Sequence, residues 1–156
     1  MSGAESAEGA PTMIEEIYVV AFEGDERHHV LDYATEQAKK SGARLHILHV
    51  LEWSPYAFLT PEELEERHGR RKDELARAHS AIMGPALQRV AAADVSAEGE
   101  IRYGQVVELV CDTAEKLGAS MIFVGRAGGN ALGARIFGSV PLGLAQAATV
   151  PTVIVP

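Results

Sequence analysis

Short apolar runs alternate with stretches of helical periodicity along this chain, and this alternation restricts the fold more than any other feature. Five runs are typical of strands, at residues 14–22, 45–51, 95–102, 121–125 and 152–155. Helical periodicity lies between them, at residues 30–41, 60–92, 107–117 and 141–148. Strands that alternate with helices favour a parallel sheet with right-handed crossovers and helices on both faces. The pattern predicts a five-stranded α/β fold, for which we expect the strand order 3-2-1-4-5.

Local signals set several element boundaries. The segment Thr60-Pro61-Glu62-Glu63 supplies an N-cap, a first-position proline and a reciprocal glutamate. The helix that it begins is expected to reach about Ala92, with a bend or interruption near Gly84-Pro85. The last helix is expected to begin at Pro141. The run at 95–102 is more polar than the others, which predicts a strand at the sheet edge.

Composition limits the domain count and the classes of partner. A chain of 156 residues that is 47% hydrophobic predicts one domain. Residues 1–13 are mostly small and acidic, so we expect a disordered tail, followed by a domain over 14–156. The net charge of −8 argues against nucleic acid or an anionic membrane as the main partner. No apolar run approaches the roughly 18 residues of a membrane helix. The single cysteine, Cys111, excludes an intrachain disulfide, and we expect a cytoplasmic protein.

A glycine-rich segment follows the fourth predicted strand, from Gly125 to Ser139. It contains the cations Arg126 and Arg135 and no acidic residue. Glycines allow backbone N–H groups to form a concave nest, and the N-terminus of the next helix adds donors and a partial positive charge. The segment is a candidate anion site, with phosphate as the favoured anion, although many such loops only turn the chain. It is not a P-loop, because it has no Gly-Lys-Ser/Thr sequence.

The predicted strand order indicates where this loop lies in the fold. In open α/β sheets, ligands bind beyond the carboxyl ends of the strands, where the winding direction reverses. In the order 3-2-1-4-5 the reversal lies between strands one and four. The segment Glu23-Gly24-Asp25 would then face the glycine-rich loop. A carboxylate opposite a phosphate nest suits a nucleotide, because one can hold ribose or base donors and the other the phosphates.

The residues of this loop carry a resemblance to a known family. Gly125-x-x-Gly128, nine further residues and then Gly138-Ser139 resemble the ATP-binding signature of the universal stress protein family. The closing Val-Pro-Thr-Val-Ile-Val is similar to the family's last strand, and the resemblance covers about residues 14–156. It implies a homodimeric, single-domain, Rossmann-like fold that binds ATP or AMP. ADP is an alternative ligand, and Mg²⁺ could accompany ATP.

The resemblance also implies roles for individual residues. Ala21 and Glu23 would lie near the nucleotide, Val50 would offer backbone groups to adenine, and Ser139 would donate its hydroxyl to phosphate. The implied cofactor-binding set is Ala21, Phe22, Glu23, Val50, Val124, Gly125, Arg126, Gly128, Gly129, Arg135, Gly138, Ser139 and Val140. The chain departs from the family where Glu23 replaces the usual Asp, Asp25 replaces a common Ser, and Ala127 replaces a frequent Arg or His. These changes favour AMP or ADP over ATP, because the shorter nucleotides carry less charge.

Three hypotheses for function follow. The first is a nucleotide-binding regulatory or sensor protein of the stress response with at most slow ATP hydrolysis, since no spacing indicates catalytic residues or a metal site. The second is a dimeric adaptor that binds an unidentified protein partner, with a purely structural glycine-rich loop. The third, an enzyme of the ATP-pyrophosphatase type, is disfavoured because the chain lacks Ser-Gly-Gly-x-Asp-Ser after the first strand.

The last predicted strand also indicates an assembly. Residues 151–156 would form an outermost apolar strand, and such an edge favours pairing with another chain. Pro151 and Pro156 limit how far a ladder can extend, which favours a closed pair over a fibre. We therefore expect a two-fold homodimer through this strand.

Overall fold

The fold was analysed in a computed structural model that describes residues 15–24, 28–52, 60–126 and 139–156. The predicted tail 1–13 lies outside these ranges. The elements in chain order are β1 (Ile17–Ala21), α1 (His29–Ser41), β2 (Arg44–Glu52), α2 (Pro61–Ala78), a π-helical turn (His79–Met83), α3 (Gly84–Ala92), β3 (Ala97–Gly104), α4 (Val106–Leu117), β4 (Met121–Gly125), α5 (Ser139–Ala147) and β5 (Thr152–Val155).

All five strands form one parallel sheet in the order β3-β2-β1-β4-β5, which confirms the predicted fold class and strand order. The polar strand β3 lies at one edge, as its composition indicates, and β5 lies at the other. The central strand β1 pairs with both β2 and β4, so that Ala21 lies opposite Leu48 on one side and Val124 on the other. The winding reverses between β1 and β4, which places the reversal at the carboxyl end of Ala21.

Helices cover both faces of the sheet because the central strands have no polar face. Tyr18 and Val20 of β1 point into a core shared with α1 and α3, whereas Val19 and Ala21 point into a core shared with α4 and α5. A parallel strand that is buried on both faces is typically a continuous apolar run, and β1 is such a strand. The α4–α5 face is the one that matters for the site described below.

The long helix is interrupted directly before Gly84-Pro85, close to where the sequence predicts it. The interruption is the π-helical turn, in which the Gly84 N–H donates to the His79 carbonyl oxygen. Pro85 has no backbone N–H to donate. The backbone hydrogen bonds on its N-terminal side therefore depart from the regular α-helical pattern. Gly84 suits this arrangement, because a Cβ there would lie only 3.1 Å from the His79 oxygen. The extra residue in the turn brings Met83 into the core.

The last helix begins at Ser139, two residues before the predicted Pro141. A proline is tolerated throughout the first helical turn, because the N–H groups there have no intrahelical acceptor. Pro141 therefore occupies the third helical position, where its ring is buried. The earlier beginning brings the Ser139 backbone into the helix N-terminus.

We expect the pair Asp32–Arg89, which joins α1 to α3, to stabilise the fold only above acidic pH. Arg89 Nε and Nη2 donate to the Asp32 carboxylate at 2.6 and 2.9 Å, and these hydrogen bonds lower the pKa of Asp32. A lowered folded-state pKa contributes stability above the unfolded value near 3.9, and this contribution is lost as the pH falls further. Asp32→Asn should therefore lower Tm slightly at pH 7, and this deficit should be smaller near pH 2. Thermal melts at both values test this, and a deficit that grows on acidification would contradict it.

Candidate functional site

A pocket of about 210 Å³ lies at the carboxyl ends of β1 and β2, beneath the beginnings of α4 and α5. Parallel strands all end at this edge, so that residues far apart in the sequence meet here. Its lining consists of Ala21, Phe22, Glu23, Leu48, His49, Val50, Glu52, Val106 and Val140. The pocket lies beside the reversal point, where open α/β sheets bind ligands.

The wall formed by the end of β1 is held in place by hydrogen bonds to β2. The Phe22 N–H donates to the Leu48 carbonyl at 3.0 Å, and His49 Nδ1 lies 2.8 Å from the Phe22 carbonyl oxygen. A carbonyl oxygen only accepts, so Nδ1 of this buried histidine carries the hydrogen. His49 thereby fixes the last carbonyl before the chain leaves the sheet.

The chain then turns at Gly24, where the backbone requires glycine. Its φ is +86°, and a Cβ would lie 2.9 Å from Cγ2 of Ile82 in the π-helical turn. A side chain here would be strained by the positive φ and by the close contact. The π-helical turn therefore supports the outer side of the β1 loop, and Glu23 leaves the sheet in a defined direction.

Two helix N-termini meet at the pocket. Val106 begins α4 and Val140 is the second residue of α5, and both side chains line the pocket. Gln105, the N-cap of α4, makes no side-chain capping hydrogen bond. Gly104 has φ +154°, and a Cβ there would lie 2.8 Å from Leu109, so glycine allows α4 to begin this close to β3. The N–H groups of α4 that lack a side-chain cap and the dipoles of both helices favour an anion at this position.

The floor of the pocket is apolar, and its opening carries negative charge. Its floor is apolar, made by Ala21, Leu48 and Val50, whereas Glu23 and Glu52 are exposed carboxylates at the opening. Among the described lining residues there is neither lysine nor arginine. Such a pocket can bury a flat apolar ring, hold an anion at the helix N-termini and accept hydrogen bonds from ligand hydroxyl or amino groups. This arrangement suits the binding of a small ligand.

The structure brings together a subset of the residues predicted from the sequence. Ala21, Phe22, Glu23, Val50 and Val140 line the pocket. The next strand and helix contribute nearby positions: Val124 and Gly125 end β4, Arg126 follows it with an exposed side chain, and Ser139 begins α5. Gly128, Gly129, Arg135 and Gly138 lie outside the described residues, so the phosphate nest stays a prediction.

Four lining residues were missed by the sequence reasoning, namely Leu48, His49, Glu52 and Val106. A signal existed for Leu48 and Glu52, since strand alternation places them on the same side of β2 as Val50. Val106 had no such signal. Its place depends on how far α4 reaches over the sheet, which sequence periodicity does not determine.

Two titratable side chains outside the pocket, Tyr103 and Cys111, have raised pKa values. Tyr103, at the end of β3, donates its hydroxyl to Glu74 of α2 at 2.7 Å, and burial together with this carboxylate raises its pKa to about 12. Tyr103 thus joins α2 to the strand edge as a neutral phenol. Burial, together with Asp112 and Glu115, raises the pKa of the Cys111 thiol, which disfavours a reactive thiolate.

Metal-binding and membrane-spanning features were also sought in the described part of the chain. There, no group of three or more His, Cys, Asp or Glu side chains is arranged to hold a metal ion. None of the helices described is long and apolar enough to cross a membrane.

This chain has clear matches among solved structures. The search of curated proteins found no match. Among solved structures, universal stress protein UspA from Lactobacillus plantarum has a TM-score of 0.77 at 24% identity, with 91% of this chain and 97% of that chain covered. A universal stress protein in complex with cAMP has a TM-score of 0.65 at 22% identity, with 90% and 96% covered. A family protein from Arabidopsis thaliana with AMP bound has a TM-score of 0.60 at 17% identity, with 91% of each chain covered.

These structures share the fold of this chain, and the family assignment comes from the sequence itself. The model of the universal stress protein family matches residues 13–156. The match includes all five strands, the pocket and the glycine-rich segment. This chain belongs to the universal stress protein family.

Proposed function

We propose that this protein binds an adenine nucleotide as a regulatory or sensor protein of the stress response, in the cytoplasm and with at most slow hydrolysis. The observation that carries the proposal is the pocket at the ends of β1 and β2, where an apolar floor lies beside the beginnings of two helices. Related proteins support the ligand class, since structures of two of them contain cAMP and AMP. The chemistry of the lining fits such a ligand, with a floor for the base and helix N-termini for the phosphate.

Within this proposal, each part of the nucleotide has a position. The base lies on the apolar floor and contacts backbone groups of Val50, while Glu23 accepts hydrogen bonds from ribose hydroxyls. The phosphate lies at the beginning of α5, where Ser139 and Val140 donate N–H groups and Ser139 adds its hydroxyl. The glycine-rich segment, with Gly125, Gly128, Gly138 and the cations Arg126 and Arg135, completes the phosphate side.

The pocket's charge favours AMP or ADP over ATP. Glu23 lines the opening on the side towards the proposed phosphate end, and additional phosphate charge near its carboxylate is unfavourable. ATP would therefore need Mg²⁺, which bridges phosphate oxygens and carboxylates. We expect the affinity for ATP to depend on Mg²⁺ more strongly than the affinity for AMP.

Thermal denaturation with added nucleotide tests the proposed function. A ligand at about 100 times its Kd that binds only the native state adds about 2.7 kcal/mol, which for this size is roughly 5–10 °C in Tm. AMP, ADP and ATP are each added with and without Mg²⁺ to protein stripped of bound nucleotide. Ser139→Ala should weaken AMP binding but not adenosine binding. No Tm shift with any nucleotide would favour a dimeric adaptor that binds a protein partner.

We further propose a homodimer through β5. Within the described ranges β5 pairs only with β4, which leaves its outer edge open. Large apolar side chains are exposed on β5 and on two helices that contact it: Ile154 on β5, Leu142 on α5 and Tyr33 on α1 are exposed by 36, 54 and 42%. Val153 packs against the core instead, so Ile154 is the residue that faces a partner.

The dimer predicts a measurable mass. Light scattering should give about twice 16.7 kDa for the wild type, and Ile154→Lys should shift the population towards monomer, because a lysine at the edge opposes pairing. Glu36→Lys, an exposed change on α1, serves as the control and should leave the mass unchanged. A monomeric wild type at tens of micromolar would rule out this interface.

A further inference from the structure

Glu52 is a pocket residue that no part of the proposed nucleotide has yet engaged. It is the last residue of β2, lies opposite Gly104 of β3, and alternates to the same side of the strand as Leu48 and Val50. Glu52 lines the pocket and is exposed. It therefore lies where the apolar floor meets solvent.

The carboxylate of Glu52 has no partner among the residues that the structure describes. Over the described residues it makes neither a hydrogen bond nor an ion pair, unlike Glu63 and Glu74, which accept from hydroxyl groups. A carboxylate only accepts hydrogen bonds, so a ligand group that displaces water from Glu52 must present a donor to it. An adenine nucleotide has two kinds of donor, the ribose hydroxyls and the amino group at position 6 of the base.

The sheet order indicates which donor reaches Glu52. The proposed phosphate end is the beginning of α5, and this helix follows β4 in the chain and packs on β4 and β5. The neighbour of β4 in the sheet is β1, which is followed in the chain by Glu23. The next strand is β2, which ends at Glu52. A nucleotide that extends from α5 across the pocket places its sugar near β1 and its base near β2. The donor that faces Glu52 is therefore on the base.

We infer that Glu52 selects the base, by accepting a hydrogen bond from the amino group at position 6 of adenine. This inference rests on the proposed nucleotide function and specifies which purine base is preferred. A purine with an oxo group at position 6 presents an acceptor there, and two acceptors repel each other. Glu52 thus favours 6-aminopurine nucleotides over 6-oxopurine nucleotides, a discrimination that the apolar floor alone cannot provide.

The test compares AMP with inosine 5′-monophosphate, which carries an oxo group at position 6. Isothermal titration of the full chain should give the wild type a preference for AMP of about tenfold, the usual effect of a hydrogen bond to a charged group. Glu52→Gln should reduce the preference to roughly twofold, mainly by a gain in affinity for the inosine nucleotide, because an amide can either accept or donate. EDTA in the buffer excludes a contact made through Mg²⁺.

Glu115→Gln is the matched control, because it removes the same charge from the exposed far end of α4, and it should keep the wild-type preference. Two results would overturn the inference alone: equal affinities in the wild type, or an unchanged preference in Glu52→Gln. Binding of neither nucleotide by folded wild-type protein would overturn the proposed function together with it. Thermal melts without ligand confirm that each variant is folded.

Discussion

Replacement of Phe123 by alanine should lower the free energy of unfolding by about 3–5 kcal/mol, because it leaves a cavity in the core. Phe123 is 1% exposed on β4, and its ring centroid lies 5.2 Å from that of Tyr18 on β1 and 6.1 Å from that of Tyr33 on α1. The aromatic ring thus joins two strands and a helix. For a domain of marginal stability, this loss is a large fraction of the total.

Urea denaturation followed by circular dichroism measures the loss, and Phe123→Leu is the matched control. Leucine keeps most of the buried volume, so its effect should be about 1.5 kcal/mol or less. Both variants are compared with the wild type at one protein concentration, because dimer formation would make stability depend on concentration. Similar losses for alanine and leucine would show that cavity volume does not determine the effect.

Val106→Trp should reduce nucleotide affinity by about a hundredfold or more, since the larger side chain occupies space that the base requires. Val106 lines the pocket at the first position of α4, and the pocket holds only about 210 Å³. The Tm without ligand should change little, because the additional volume enters an open pocket rather than the close-packed core. Titration with AMP and thermal melts without ligand measure the two quantities.

The neighbouring variant Glu108→Trp controls for the introduction of a tryptophan. Glu108 lies on the same first turn of α4 but is exposed and does not line the pocket. This variant should bind AMP as the wild type does. Equal losses in both variants, or full affinity in Val106→Trp, would place the nucleotide elsewhere.

Most of the fold could be predicted because its signals are local. The run Ile-Tyr-Val-Val-Ala is buried on both sides in β1, as a continuous apolar strand requires. Gly42 ends α1 with φ +80°, a conformation that glycine adopts without a steric penalty. The interruption of the long helix and the beginning of α5 both lie next to a proline. A missing N–H permits several pairings of the neighbouring backbone, and tertiary packing decides among them.

The sequence by itself therefore determined the alternating elements, the parallel sheet, the family and the segments that follow β1 and β4. Only the tertiary structure decided which side chains meet in the pocket. Glu52 and Val106 belong to β2 and α4, and they become neighbours because parallel strands end at one edge and α4 begins over it. Periodicity indicates on which side of its own helix or strand each residue lies. A binding pocket depends instead on the distances between helices and strands, and these are set by packing of the whole domain.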